Sequence, residues 1–153
     1  MRIWIDADAS PRDAKDVVFR ASQRTGVPVS LVANKPMFIP SGALVSLIVV
    51  AGGPDVADDH IAANAQAGDI VITADIPLAA RLVPLAVAVI DPRGVVFDDD
   101  NIGERLSVRD FMSEVRDAGV ATGGPRPYGP RDKQRFASAL DAALQRARAA
   151  GRA

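Results

Sequence analysis

The sequence has 153 residues and a mass of 16.0 kDa, a size that allows one domain of ordinary dimensions. Hydrophobic residues make up 48% and charged residues 24%, proportions that exclude a disordered tail and a fibrous protein. The formal net charge is −1, and the lack of cysteine excludes a disulfide scaffold, a thiolate metal site and a cysteine nucleophile.

The first hundred residues alternate between short apolar runs and segments with helix signals. The apolar runs predict strands at Ile3–Asp6, Val29–Ala33, Leu44–Val50, Asp69–Ala74 and Ala86–Ile90. The second and third runs are almost entirely apolar, which is typical of strands buried on both faces. The segments between the runs predict a helix that ends at Gly26 and further helices at Asp55–Ala67 and Ile76–Leu82. This alternation favours a parallel α/β sheet.

The first helix carries a strong start signal. Ser10 is a good N-cap residue, Pro11 suits the first helical position, and Asp13 completes a capping box. We therefore expect the helix to begin directly after Ser10.

Two further helices are predicted at Ile102–Ala118 and Arg131–Gly151, separated by a Gly- and Pro-rich loop at residues 122–130. These helices are too short to form a core of their own, so we expect them to pack on the sheet. The sequence thus predicts a single domain over residues 1–153. Residues 1–100 would form its α/β core, and residues 101–153 the extra C-terminal helices and the loop.

No segment predicts a membrane span. The longest apolar stretches, around residues 43–51 and 82–90, fall short of the ~18 residues that a spanning helix needs. The first residues reach Asp6 too early for a signal peptide. We therefore expect a cytoplasmic protein that does not bind membranes, and the sequence leaves its oligomeric state open.

Acidic residues follow three of the predicted strands. Asp6 and Asp8 follow the first strand, Asp75 follows the fourth, and Asp91 follows the fifth. In open parallel sheets, ligands bind beyond the carboxyl ends of the strands, where the strand order reverses. These acids are therefore candidates for one shared crevice. Asp58 and Asp59 lie in the first turn of the second helix, near the same edge, although aspartate favours helix starts in any protein.

A cluster of carboxylates is tolerable when a divalent cation neutralises its mutual repulsion. Mg²⁺ and Mn²⁺ prefer oxygen ligands, so they need neither cysteine nor the single histidine of this chain. Such ions orient a water molecule and stabilise charge on a phosphoryl oxygen. The alternative is a purely structural role, in which these aspartates cap helices and stabilise turns.

Several motifs resemble a known family. The opening segment, residues 3–11, looks like the start of the YaiI/YqxD family of uncharacterised bacterial proteins. The long block at residues 68–79 is the most specific match. Shorter matches lie at residues 57–59, 91–94, 122–125 and 131–132. Ser10 departs from the pattern, because the family usually has cysteine there.

The resemblance implies a PIN-like fold, a three-layer α/β/α sandwich around a mainly parallel sheet. PIN domains are Mg²⁺- or Mn²⁺-dependent ribonucleases, so it also implies nuclease activity with Mg²⁺ or Mn²⁺ as cofactor and RNA as partner. Asp6 matches the first acid of PIN domains, Thr73–Asp75 resembles their threonine-x-aspartate motif, and Asp58 or Asp59 corresponds to their helix-borne acid. We assign catalytic roles to Asp6, Asp8, Asp59 and Asp75, and metal binding to Asp6, Asp8, Asp58, Asp59, Asp75 and Asp91.

Basic residues predict where a polynucleotide would bind. Residues 1–100 contain 8 basic and 13 acidic residues, whereas residues 101–153 contain 10 and 6. An acidic part joined to a basic end suits a cation site beside a phosphate-binding surface, although composition drift explains it as well. The predicted substrate-binding residues are Thr73 at a strand end, Arg12 and Lys15 near a helix N-terminus, and Arg126, Arg131 and Lys133.

Two other functions compete with a nuclease. The segment Asp6–Ser10 resembles the opening of haloacid dehalogenase-type phosphatases, in which Asp6 would be the nucleophile. That fold expects a lysine and then an acidic pair late in the chain, whereas here the pair comes early and only Lys133 follows Thr73. The other reading is a catalytically silent module that binds RNA or protein.

Overall fold

A computed structural model describes residues 1–42, 44–119 and 126–151. The described chain contains six strands and five helices. The strands are β1 (Ile3–Asp6), β2 (Val29–Ala33), β3 (Val45–Val49), β4 (Ile70–Ile72), β5 (Ala88–Ile90) and β6 (Val96–Phe97). The helices are α1 (Arg12–Thr25), α2 (Val56–Asn64), α3 (Ile76–Leu82), α4 (Ile102–Asp117) and α5 (Pro130–Gly151).

The strands form one sheet in the order β3-β2-β1-β4-β5-β6. All neighbouring pairs are parallel except β5 and β6, which are antiparallel. The predicted α/β fold with a mainly parallel sheet is confirmed. The strand order reverses between β1 and β4, and this point lies in the middle of the sheet.

Helices cover both faces of the sheet. On one face, α1 and α5 pack against side chains such as Ile3 and Ile5. On the other face, α2, α3 and the start of α4 pack against Trp4 and its neighbours. The predicted three-layer arrangement is confirmed. Because side chains alternate along a strand, Asp6 lies on the same face as Trp4, toward α2 and α3.

The prediction that the third strand is buried on both faces is wrong. β3 is an edge strand that pairs only with β2; Val45, Leu47 and Ile48 are half-buried, and Ser46 and Val49 are exposed. Its apolar sequence resembles that of the central strand β2, so composition alone does not separate an edge from a centre. The strand β6 was not predicted.

The predicted capping box of the first helix is also wrong. A 3₁₀ turn at Ala7–Ala9 follows β1, and the Ser10 hydroxyl donates to the Asp6 carbonyl at 2.8 Å. The helix therefore begins one residue later, with Pro11 at its N-cap and no side-chain capping bond there. The hydroxyl serves to tie α1 to the end of β1.

The helix α5 lies across the sheet beside α1. Its apolar stripe, which includes Phe136 and Leu140, belongs to the same core as β1 and β2. Among the described residues, no helix combines the length and apolarity needed to cross a bilayer.

Candidate functional site

The site begins where β1 and β4 end side by side. Asp6, the last residue of β1, is 7% exposed, and the fully buried Thr73 follows β4. The Thr73 hydroxyl donates to Asp6 Oδ2 at 3.0 Å and accepts the Asp75 backbone N–H at 3.0 Å. One hydroxyl group thus joins the two strand ends at the reversal point of the sheet, where ligands bind in folds of this kind.

Burial raises the pKa of Asp6, and the nearby charges of Asp75 and Asp8 raise it further. The hydrogen bond from Thr73 acts in the opposite direction, because it stabilises the carboxylate. The surroundings of Asp6 therefore disfavour the ionised form of its carboxyl group.

Asp75 and Asp58 bring two helix starts to the same place. Asp75 is the N-cap of α3, and its Oδ1 accepts the Leu78 N–H at 2.9 Å. Asp58 lies in the first turn of α2, close to Asp75. Burial, the adjacent carboxyl group of Asp75 and the charge of Asp6 raise the pKa of Asp58 to about 7.

Asp8 completes the group. It is exposed in the 3₁₀ turn after β1, and its Oδ2 accepts the Asn34 backbone N–H at 2.8 Å. Its charge contributes to the raised pKa of Asp6. We call Asp6, Asp8, Asp58 and Asp75 the acidic cluster.

The other two predicted ligands have different partners. Asp59 is exposed and forms a salt bridge with Arg81 at 2.8 Å. Asp91 Oδ1 accepts the backbone N–H groups of Arg93 at 2.9 Å and Val95 at 2.8 Å, and so holds the turn between β5 and β6. The structure does not place either residue in the acidic cluster, and their proposed roles in metal binding stay predictions.

Arg12 and Lys15 lie at the start of α1, next to the end of β1. Lys15 Nζ is 3.4 Å from the carbonyl oxygen of Ala7, which stands between Asp6 and Asp8 in the chain. In the described parts of the chain, neither Arg12 nor Lys15 forms a salt bridge. Lys15 is thus placed beside the turn that carries Asp8, and no member of the acidic cluster neutralises it.

Two of the predicted substrate-binding residues, Arg131 and Lys133, line different grooves. Arg131 lies in a groove beside Gly94, whereas Lys133 lines a different groove with Arg20 and Arg24 of α1. That second groove is on the face of the sheet opposite Asp58 and Asp75. Lys133, the only lysine after Thr73 in the chain, is therefore not beside Asp6.

Arg126 forms a salt bridge with Asp132, a buried residue that was not predicted from the sequence to have a role. Asp132 is fully buried and pairs with Arg126 at 2.8 Å and with Arg93 at 3.0 Å. The Gly129 N–H and the Arg126 guanidinium hold the pKa of Asp132 below its usual value, against the effect of burial. Its position in the first turn of α5, three residues after a glycine, is the signal that indicates such a role.

A divalent cation suits the chemistry of the acidic cluster. Its members offer only carboxylate oxygens, which are the ligands that Mg²⁺ and Mn²⁺ prefer. The raised pKa values of Asp6 and Asp58 indicate that negative charge is disfavoured in the cluster without a cation. Within residues 1–42, 44–119 and 126–151, however, no three acidic or histidine side chains already form a complete metal-binding set. Binding would require these side chains to move closer together.

Comparison with known proteins identifies the family of this chain. The model of a family described as uncharacterised, YaiI/YqxD, matches residues 4–146. The chain belongs to this family. The resemblance that its motifs indicated is thereby confirmed.

Curated members of the YaiI/YqxD family match nearly the whole chain. A protein named UPF0178 protein from Trichlorobacter lovleyi is 58% identical over 146 residues, covering 95% of both chains. Proteins with the same name from Myxococcus xanthus and Geobacter metallireducens are 54% and 55% identical and also cover 95% of this chain. No solved structure matches it. These names specify no activity.

Proposed function

We propose that the protein is a metal-dependent nuclease of the PIN-like type, which hydrolyses phosphodiester bonds in RNA with Mg²⁺ or Mn²⁺. The observation that carries this proposal is the convergence of Asp6, Asp58 and Asp75 at the point where the strand order reverses. Three separate elements supply these carboxyl groups, and burial and mutual repulsion raise the pKa of two of them.

Each residue has a definable part in such a site. Asp6, Asp58 and Asp75 would hold the cation, with Asp8 at the solvent side. Thr73 would keep the Asp6 carboxylate oriented through its 3.0 Å hydrogen bond. When bound, the cation would polarise a phosphoryl oxygen of the substrate and activate a water molecule. Arg12 and Lys15 would hold phosphates of the substrate outside the acidic cluster.

Metal binding is tested by thermal unfolding in a Mn²⁺ titration. Ligand that binds only the folded state stabilises it by RT ln(1 + [L]/Kd), about 2.7 kcal/mol at one hundred times the Kd. We expect this stabilisation in the wild type and its loss in Asp75→Asn and Asp58→Asn.

Asp59→Asn is the matched control, because Asp59 neighbours Asp58 but points to Arg81. It should retain the full stabilisation by Mn²⁺. Equal losses in Asp58→Asn and Asp59→Asn would contradict the assignment of Asp58 as the helix-borne ligand.

Cleavage is tested on a labelled single-stranded RNA with Mg²⁺, Mn²⁺ or a chelator. The wild type should cleave only with metal, and Asp75→Asn should lose cleavage while remaining folded. A protein that binds Mn²⁺ and RNA without cleaving would be the catalytically silent module. Absence of any stabilisation by Mn²⁺ or Mg²⁺ would reject the metal site itself.

A further inference from the structure

We propose that a groove between α1 and the loop after β2 binds single-stranded RNA, with Phe38 stacking on a base. The proposal deepens the proposed function by naming a binding subsite next to the acidic cluster, although the binding it describes does not depend on cleavage.

The most exposed large apolar side chain of the described residues is Phe38, at 90%. It lies at the rim of a groove of about 420 Å³, which Phe19 and Met37 line from below. The exposed ring presents an aromatic face to solvent at the rim of this groove. An unstacked base offers a flat apolar face of matching size, and aromatic platforms bind single strands in this way without regard to sequence.

Cations stand along the same groove. Arg12 and Lys15 line it, and Lys35 is exposed in the adjoining loop. One acid, Asp16, also lines the groove, which leaves an excess of positive charge. A stacking ring beside unneutralised cations matches the alternation of base and phosphate along a single strand.

The groove leads to the acidic cluster through two contacts. Lys15 Nζ approaches the Ala7 carbonyl at 3.4 Å, and the loop that carries Phe38 begins at Asn34, whose backbone N–H binds Asp8 at 2.8 Å. A strand held by Phe38 and Lys15 would therefore have its next phosphates close to Asp8.

The test measures binding of a short single-stranded RNA of mixed sequence by fluorescence anisotropy, in chelator so that no cleavage occurs. Phe38→Ala and Phe38→Leu should weaken binding roughly 5- to 150-fold, because one stacked base is lost. Phe38→Trp should bind at least as tightly as the wild type, and its fluorescence should change on binding. Melting temperatures should not change, since the side chain is exposed.

Two comparisons make the test specific. Phe111→Ala removes another exposed phenylalanine, 62% exposed on α4 at the opposite face of the sheet, and should leave binding unchanged. Duplex RNA, whose bases are stacked internally, should bind Phe38→Ala and wild type equally. Replacing Arg12 and Lys15 together by glutamine should make the slope of log K against log salt concentration shallower by up to about 1.4, because each phosphate contact to a single strand contributes about 0.7.

Equal affinity of wild type and Phe38→Ala for the single strand would overturn the proposal, as would an equal loss in Phe111→Ala. A wild type that binds no single-stranded RNA would also overturn it. Binding that depends on Phe38 in a protein without nuclease activity would keep this subsite and reject the proposed function. If the wild type cleaves RNA and replacing Phe38 changes neither KM nor kcat, the proposed function is kept and this subsite is rejected.

Discussion

Thr73 is the residue on which the geometry of the site depends most. Its hydroxyl has one proton, which it donates to Asp6, and its oxygen accepts the N–H of Asp75. The group is fully buried, so neither bond can be replaced by bulk water. Sequence analysis suggested that Thr73 binds substrate; the structure shows its proton committed to a carboxylate of the site.

Replacing Thr73 tests this linkage. Thr73→Val keeps the shape but leaves Asp6 and the Asp75 N–H without their partner, so we expect a loss of about 1–3 kcal/mol in the free energy of unfolding. Thr73→Ser keeps both bonds and should lose clearly less. Urea denaturation of the three proteins without metal decides the matter, and equal stability of Thr73→Val and the wild type would show that the bonds are unimportant.

The pKa of Asp58 has a consequence for stability. It rises from 3.8 in the unfolded chain to about 7 in the folded protein. Between these values the folded state binds more protons, so the contribution of this group to stability falls as pH increases from about 4 to about 7.

Asp58→Asn should remove that dependence. In chelator, the melting temperature of the variant should fall less between pH 4 and pH 7 than that of the wild type. Asp59→Asn is the control and should follow the wild-type curve. Parallel curves for Asp58→Asn and the wild type would show that Asp58 titrates normally.

The choice between Asp58 and Asp59 also shows what a sequence leaves open. Neighbouring residues on a helix point about 100° apart, so only one of them can face a given site. The rotation of α2 is set by the packing of Ile61 and Ala57 against the sheet. Because this packing involves distant parts of the chain, the local pattern alone could not select Asp58.

At the scale of the elements, Asp75 has two roles that pull in different directions. It caps α3, which stabilises the helix, and it adds charge to the acidic cluster, which destabilises the metal-free fold.

Two substitutions separate these roles. Asp75→Asn keeps a capping oxygen and removes the charge, so the metal-free protein should be as stable as the wild type or more so. Asp75→Ala also loses the cap and should be about 1 kcal/mol less stable than Asp75→Asn. Thermal unfolding in chelator measures both, and a loss in Asp75→Asn as large as that in Asp75→Ala would show that the charge itself is stabilising.

The turn between β5 and β6 is packed directly against α5. Gly94 has φ of +91°, and a Cβ atom there would lie 2.7 Å from the carbonyl carbon of Arg135. Gly94→Ala should therefore lose about 2–4 kcal/mol, from backbone strain and from overlap with the helix.

Gly103 offers the matched control. It lies within α4, and a Cβ atom there would meet nothing within 4 Å. Gly103→Ala should gain about 0.5–1 kcal/mol, because alanine is the better helix former. In chemical denaturation, Gly94→Ala should lower the free energy of unfolding and Gly103→Ala should raise it. Equal effects of the two substitutions would mean that the turn can accommodate a side chain at position 94.

How far the elements could be predicted depends on their length and burial. The central strands were recognised because their apolar runs are long and bounded by turn residues. β6 has two residues and therefore no periodicity, and its pairing depends on the turn that Asp91 holds. The capping box at Ser10 failed because its hydroxyl found a partner in Asp6, a contact created by the 3₁₀ turn.

At the scale of the molecule, the C-terminal helix belongs to the same core as the first strand. Phe136 of α5 is fully buried in a cluster with Ile3, Ile5 and Ile72. Residues almost the whole length of the chain apart are thus packed together, which favours unfolding as a single cooperative unit.

Truncation of Phe136 tests that unity. Phe136→Ala should lose about 3–5 kcal/mol and still unfold in one transition when circular dichroism and tryptophan fluorescence are compared, since Trp4 reports on the sheet. Phe111→Ala, which alters an exposed side chain, should change stability little. Separate transitions for the helix signal and for Trp4 would show that α5 is an independent unit.

The bond between Asn34 and Asp8 uses a group that every amino acid except proline possesses. The side chain at position 34 can therefore vary freely while the carboxylate stays oriented. A search for invariant side chains, or a scan by alanine substitution, would pass over this position without a sign of its importance. Part of the geometry of the acidic cluster thus depends on a backbone N–H group, which only a substitution by proline would remove.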